Sequence, residues 1–264
     1  MTREDGRRRW VRLRCRATAA LRSADLACDL ALLDGHERDM AQRLRIAEDR
    51  RDYVAAHALL RRMLSSAVPE VTPSAWRFDQ APRGKPFVRP RGDGSPALPF
   101  SLSHTRGLVA CAVAQAGALG LDAERDADFD VEEVMASVCS ADETAQLATL
   151  AQSERRSGFL DLWTLKEACT KARGTGITDG LAATTFDLRT AGAVSGRVPP
   201  GAATGWDLVL FRPGADSRVA LAVEHREGAP IVLDAALIGA DGASTTLAAV
   251  RSGSTVRGGR SSGR

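Results

Sequence analysis

Between Arg45 and Val68 the apolar positions Tyr53, Val54, Ala58, Leu59 or Leu60, and Met63 recur at helical spacing, and the run stops before Pro69. The pattern predicts a helix over 45–68. The period then shortens. "AWRFDQ" reads as a strand, "APRGKPFV" as a turn and 90–99 as a Pro/Gly-rich loop. "PFSLSHTRGLVACAVAQAGALGLDAE" predicts three strands, Phe100–Ser103, Leu108–Ala114 and Ala118–Glu124, with "QAG" as a hairpin turn between the last two.

The same order recurs further on. "DVEEVMASVCSADETAQLATL" offers a short helix and then a second whose start, Ser140 to Glu143, fits a capping box. "RRSGFLDLWTLKEACTKARGTG" is an amphipathic helix closed by Gly174 and Gly176, and "TTFDLRT", "GWDLVLFRP" and "RVALAVEH" read as strands. Helix followed by antiparallel strands, twice over, predicts an α+β fold of two similar, pseudo-duplicated halves. The expected boundaries are a basic N-terminal segment 1–20, an N-terminal half 21–117, a C-terminal half 118–228 and a C-terminal extension 229–264.

Composition narrows the function classes. The 264-residue chain is 44% hydrophobic, enough for real cores, and carries a formal charge of +3. Much of the positive excess lies in the first sixteen residues and in the tail "RSGSTVRGGRSSGR", so both ends are expected to be solvated or disordered. No apolar run approaches the ~20 residues of a bilayer span and no signal-peptide core follows the basic start; a cytoplasmic protein is expected. Five scattered cysteines without C-x-x-C spacing read as reduced thiols. Aromatics at 5% and the absence of a nucleic-acid motif weigh against an Arg-rich nucleic-acid-binding module, the reading that the basic ends would favour.

Charge chemistry picks out particular residues. Among 36 basic residues only Lys85, Lys166 and Lys171 are lysine. In so arginine-rich a chain a retained lysine points to a need for a compact charge that a planar guanidinium does not supply. Asp122 and Glu124 flank Ala123 at a strand end, so both carboxylates project to one side. Glu167 and Lys171 are i and i+4 on the long helix, which by itself describes an ordinary helix ion pair. Both border the apolar stripe through Leu160, Trp163 and Ala168, however, and a third carboxylate beside Asp122 and Glu124 would complete an all-oxygen site suited to Mg²⁺ and phosphates. Lys85 in its Gly-Lys-Pro turn and His104 at a strand end are candidate phosphate contacts. Arg38, Arg50 and Arg51, which flank the first helix, are others. Lys166, one residue off the Glu167 face, reads as a surface charge.

"FSLSHT" (100–105), "LGLDAE" (119–124) and "WTLKEACTKARGTG" (163–176) resemble, in order and separation, the three signature blocks of the 4'-phosphopantetheinyl transferases, specifically the surfactin-synthetase type; "RGKP" agrees with a fourth, weaker block. The similarity spans roughly 38–225. It implies two similar α+β halves with the active site between them, a monomer, and transfer of the phosphopantetheine arm of coenzyme A to a serine of apo acyl, peptidyl or aryl carrier proteins, with release of adenosine 3',5'-bisphosphate. It further implies that Asp122, Glu124 and Glu167 hold Mg²⁺, for which Mn²⁺ can substitute, and that Glu167 and Lys171 are catalytic. Lys171 would also contact the coenzyme A phosphates, His104 would bind the 3'-phosphate, and Lys85 and Ser103 would lie in the nucleotide pocket, with Arg38 and Arg51 as further phosphate ligands. The family often carries Asn where this chain has Ser101. Residues 127–156 are the expected carrier docking surface. A non-catalytic coenzyme A binder of the same fold is the alternative.

Overall fold

The computed structural model describes residues 8–92, 94, 97–126, 131–174, 176, 181–198, 205–226 and 229–257. Its chain divides into two units of mixed α/β structure: Met1–Gly117 with Ile231–Leu247, and Ala118–Pro230 with Ala248–Arg264.

The first unit is built on a five-stranded sheet. Its strands are β1 (Arg9–Ala17), β4 (Phe100–Thr105), β5 (Leu108–Ala114), β11 (Ile231–Ile238) and β12 (Ser244–Thr246), in the order β12-β11-β1-β5-β4. Helix α3 (Ala47–Ala67) packs on β5 and β4, burying Ala56, Leu59, Leu60 and Met63 against Phe100, Val109 and Val113. Helices α1 (Ser23–Leu32) and α2 (Gly35–Arg43) flank it, and β2 (Phe78–Gln80) with β3 (Pro86–Val88) forms a separate hairpin.

The second unit repeats the plan with a six-stranded sheet. Strands β6 (Leu119–Arg125), β7 (Thr185–Asp187), β8 (Ala193–Val198), β9 (Trp206–Gly214), β10 (Ser217–Glu224) and β13 (Ala249–Arg257) run in the order β6-β10-β9-β13-β8-β7. Helices α4 (Val131–Val138), α5 (Ala141–Ala148) and α6 (Gln152–Arg173) cover it, and α6 lies along β6 and β10. The Ser140/Glu143 capping box forms as the sequence predicts, and Gly174 ends α6 at φ 67°, a left-handed conformation that costs glycine little.

Three expectations require correction. The N-terminal segment is not solvated from residue 9 onward: Val11, Leu13 and Cys15 are buried on one face of β1, and Arg12, Arg14 and Arg16 find partners in Ser66, Asp234 and Asp29 on other elements. The period-two alternation was present in the sequence, masked by arginines whose stems pack while their heads pair. Likewise β11 runs parallel to β1, and β13, inside the glycine- and serine-rich tail, lies between β9 and β8. Strand pairing uses main-chain groups, and Gly253 suits close approach, since a Cβ there would stand 1.8 Å from the Val194 carbonyl oxygen. Residues 1–7 and 258–264 of the two ends lie outside the described residues. Finally, "QAG" makes no hairpin. Both edges of β5 are taken, by β1 and β4, so β6 pairs with β10 in the other sheet.

Candidate active site

On β6 the residues Gly120, Asp122 and Glu124 share a face, and it is the face that meets α6. Gly120 sets the separation: a Cβ at this position would lie 2.0 Å from the Ala168 carbonyl oxygen and 2.2 Å from the Ala172 nitrogen. Only glycine lets the helix settle this close. The approach brings the last turns of α6 to the two acids. The Lys171 ammonium donates to Oδ1 of buried Asp122 at 2.7 Å, and the Trp163 indole N–H donates to Oε1 of Glu124 at 2.8 Å. Glu167 and Lys171, one turn apart, are both half-buried.

The electrostatics of this group are strained. Burial raises the Glu124 carboxyl above its ordinary range, the Asp122 charge and more weakly Glu167 push it further, and the Trp163 hydrogen bond and Lys171 oppose them. Glu167 is raised by burial and by Asp122, against Lys171. Lys171 thus acts on all three carboxylates. Among the described residues, no group of three or more His, Cys, Asp or Glu side chains is disposed to hold a metal ion as it stands. The donor set nonetheless fits a hard divalent cation in kind, because it is all oxygen and its acids repel one another. Lys171 pairs with Asp122 at 2.7 Å.

The basic and hydroxyl candidates lie on the first unit. Ser103 is buried and His104 exposed, on opposite faces of β4. Lys85 closes the β2–β3 hairpin, where the Ala81 amide donates to its carbonyl at 2.9 Å, and burial pulls its ammonium down to about 8. Arg51 lies 3.9 Å from the Asp52 carboxylate. Asp52 itself, 1% exposed, accepts from the Thr18 hydroxyl and, at 3.0 Å, from the Gly107 amide. This one buried acid ties α3, which carries Arg51, to the β4–β5 turn that follows His104, and nothing in its sequence neighbourhood signals that role. Arg38 is exposed on α2, its guanidinium 3.4 Å from the Leu30 and Ala31 carbonyl oxygens near the end of α1. Ser101 is buried on β4.

Lys166 corrects the sequence reading most sharply. It is no surface charge: its side chain is 0% exposed, paired at 2.8 Å with Glu143, also 0% exposed, and donates to the carbonyls of Leu181 and Thr184. Glu143 also accepts from the amides of Ser140 and Phe186. The pair joins α5, α6 and the segment leading into β7. The five cysteines are free, four of them buried. No described helix is long and apolar enough to cross a membrane. Of the expected docking stretch 127–156, residues 127–130 lie outside the described residues; the rest form α4, α5 and the start of α6.

Comparison with known proteins agrees with both units. Residues 21–116 match the family model "4'-phosphopantetheinyl transferase, N-terminal", and 118–224 match that of the 4'-phosphopantetheinyl transferase superfamily. The 4'-phosphopantetheinyl transferase HetI of a Nostoc species is 34% identical over 148 residues, 56% of this chain and 62% of that protein. The 4'-phosphopantetheinyl transferase psf-1 of Bacillus pumilus is 31% identical over 165 residues, 62% of this chain and 67% of that one. An L-aminoadipate-semialdehyde dehydrogenase-phosphopantetheinyl transferase of Eremothecium gossypii is 33% identical over 137 residues, 50% of this chain and 48% of its own. The matched stretches thus span about half to two thirds of these relatives. With both of its units matched in turn, this chain belongs to the 4'-phosphopantetheinyl transferase family.

Proposed function

We propose that this protein is a transferase of the surfactin-synthetase type that moves the 4'-phosphopantetheine arm of coenzyme A onto a serine of apo acyl, peptidyl or aryl carrier proteins, releasing adenosine 3',5'-bisphosphate. The observation that carries this is the gathering of Asp122, Glu124, Glu167 and Lys171 where β6 meets α6. Asp122, Glu124 and Glu167 would hold Mg²⁺, which when bound supplies Lewis-acid neutralisation of the coenzyme A pyrophosphate. Relatives named 4'-phosphopantetheinyl transferases support the reaction class.

The side chains suit the displacement. Glu167, raised by burial and by Asp122, accepts the proton of the carrier serine more readily near neutral pH than an ordinary carboxylate does. As the serine oxygen bonds to the pantetheine-side phosphorus, the bond to the bridging oxygen breaks, and Lys171 neutralises the charge that develops on the departing bisphosphate. Lys85, Ser103, His104 and Arg51 would bind the nucleotide and its 3'-phosphate, with Arg38 a further contact. Burial lowers the Lys85 ammonium to about 8, and a phosphate beside it would favour its charged form. The protein would work in the cytoplasm as a monomer, with 131–156 contributing to carrier docking.

Intact-mass measurement of an apo carrier protein incubated with this protein, coenzyme A and Mg²⁺ tests the proposal. The expected result is a gain equal to the phosphopantetheine arm that disappears with EDTA and in Asp122→Ala and Glu167→Ala. Unchanged turnover in those two variants would overturn the assignment of the site. Coenzyme A binding without any mass gain across carrier types would favour the non-catalytic binder.

A further inference from the structure

We propose that Trp163 is a positioning residue for the cation site: its indole N–H, 2.8 Å from Oε1 of Glu124, fixes the orientation in which that carboxylate is presented. This rests on the proposed role of Asp122, Glu124 and Glu167 as cation ligands. An indole N–H is a donor only, so the contact commits one of the two Glu124 oxygens to the protein and leaves the other for an incoming ligand. The donor is itself well held. Trp163 stands one turn before Glu167 on α6, packs on the core of the second unit, and meets the fully buried Phe159 ring at a centroid distance of 6.1 Å.

The hydrogen bond answers a need the site creates. Glu124 sits at the end of β6, where its neighbours Asp122 and Glu167 carry like charge and would drive an untethered carboxylate away. Asp122 has the Lys171 ammonium to hold it. Glu124 has the indole. A neutral donor orients the carboxylate without competing for the positive charge that a cation must supply, which a lysine or arginine in its place would do. Groups that orient metal ligands in this manner typically govern 10–100-fold in metal affinity.

The test is Mg²⁺ calorimetry on the whole protein saturated with coenzyme A, comparing wild type with Trp163→Phe and with a chain carrying 3-benzothienylalanine at 163, which keeps the bicyclic ring and lacks the N–H. The benzothienyl chain retains the packing if Phe leaves the fold loosened. Both variants are expected to bind Mg²⁺ about 10-fold more weakly, to bind coenzyme A in EDTA as wild type does, and to recover kcat at saturating Mg²⁺ with a raised apparent KM for the ion. Unchanged Mg²⁺ affinity in the benzothienyl chain would overturn the proposal and reduce Trp163 to a core aromatic. Failure of the wild type to bind Mg²⁺ would instead overturn the cation site itself, and the positioning role with it.

Discussion

Each unit contains a partly buried cluster of charges, and the two are built on opposite terms. In the first, Glu37 and Asp34 share the Arg61 guanidinium, which is 0% exposed, while His57 contacts Glu37 at 2.9 Å and stacks on Tyr53. Burial alone would raise Glu37; the His57 and Arg61 contacts outweigh it and bring the carboxyl down to about 2. In the second, burial and the Asp122 charge raise Glu124 and Glu167 against the opposing pull of Lys171. Opposite charges at close range hold Glu37 ionised, whereas burial and neighbouring carboxylates oppose ionisation of Glu124 and Glu167. Lys166 with Glu143 belongs to the first kind although it lies on the same helix as Lys171.

Breaking the satisfied pairs should harm stability most. Lys166→Ala leaves Glu143 buried without its cation and is expected to cost about 3–5 kcal/mol, read as a lower urea midpoint. Lys171→Ala, five residues on, should lower that midpoint less, since the lysine is 36% exposed. Carrier transfer, however, should fall by about 10²–10³-fold. Equal stability losses in the two variants would erase the distinction between the clusters.

Glu167→Gln sharpens the contrast, because it removes a repelled charge. The melting temperature at pH 7 is expected to hold or rise by about 2–4 °C, roughly what 1 kcal/mol makes in a chain of this size, while transfer is lost. A clear fall in melting temperature would place Glu167 among the fold-holding charges.

The contrast extends to pH. Glu37 has a depressed folded pKa, so its stabilisation is complete above its ordinary value of 4.5 and is lost as pH falls toward about 2. Glu124 and Glu167 have raised values, so ionising them costs stability as pH climbs above 4.5. Urea midpoints of Glu37→Gln between pH 5 and 2 should therefore show a flatter acid decline than wild type. A parallel decline would mean the Glu37 network contributes nothing specific.

The two long helices, the strands around "FSLSHT" and "LGLDAE" and the capping box were legible because local chemistry decides them: apolar period, turn residues and the Ser140/Glu143 exchange of hydrogen bonds all act within a few residues. The faces of the candidate acids were legible for the same reason, since alternation along one strand and i, i+4 spacing along one helix fix them. What sequence could not decide were matters of partnership across long separations. β1 and β11 read as basic and unassigned ends until each supplied the other's missing edge. Lys166 read as exposed because its counter-charge, Glu143, lies on another helix. Asp52 and Trp163 gained their hydrogen bonds only when folding set them against Gly107 and Glu124. Sequence alone determined which way the candidate site residues point along their own elements. Tertiary structure decided which charges are satisfied, because an ion pair or a strand edge is completed by residues that neighbour it in space and not along the chain.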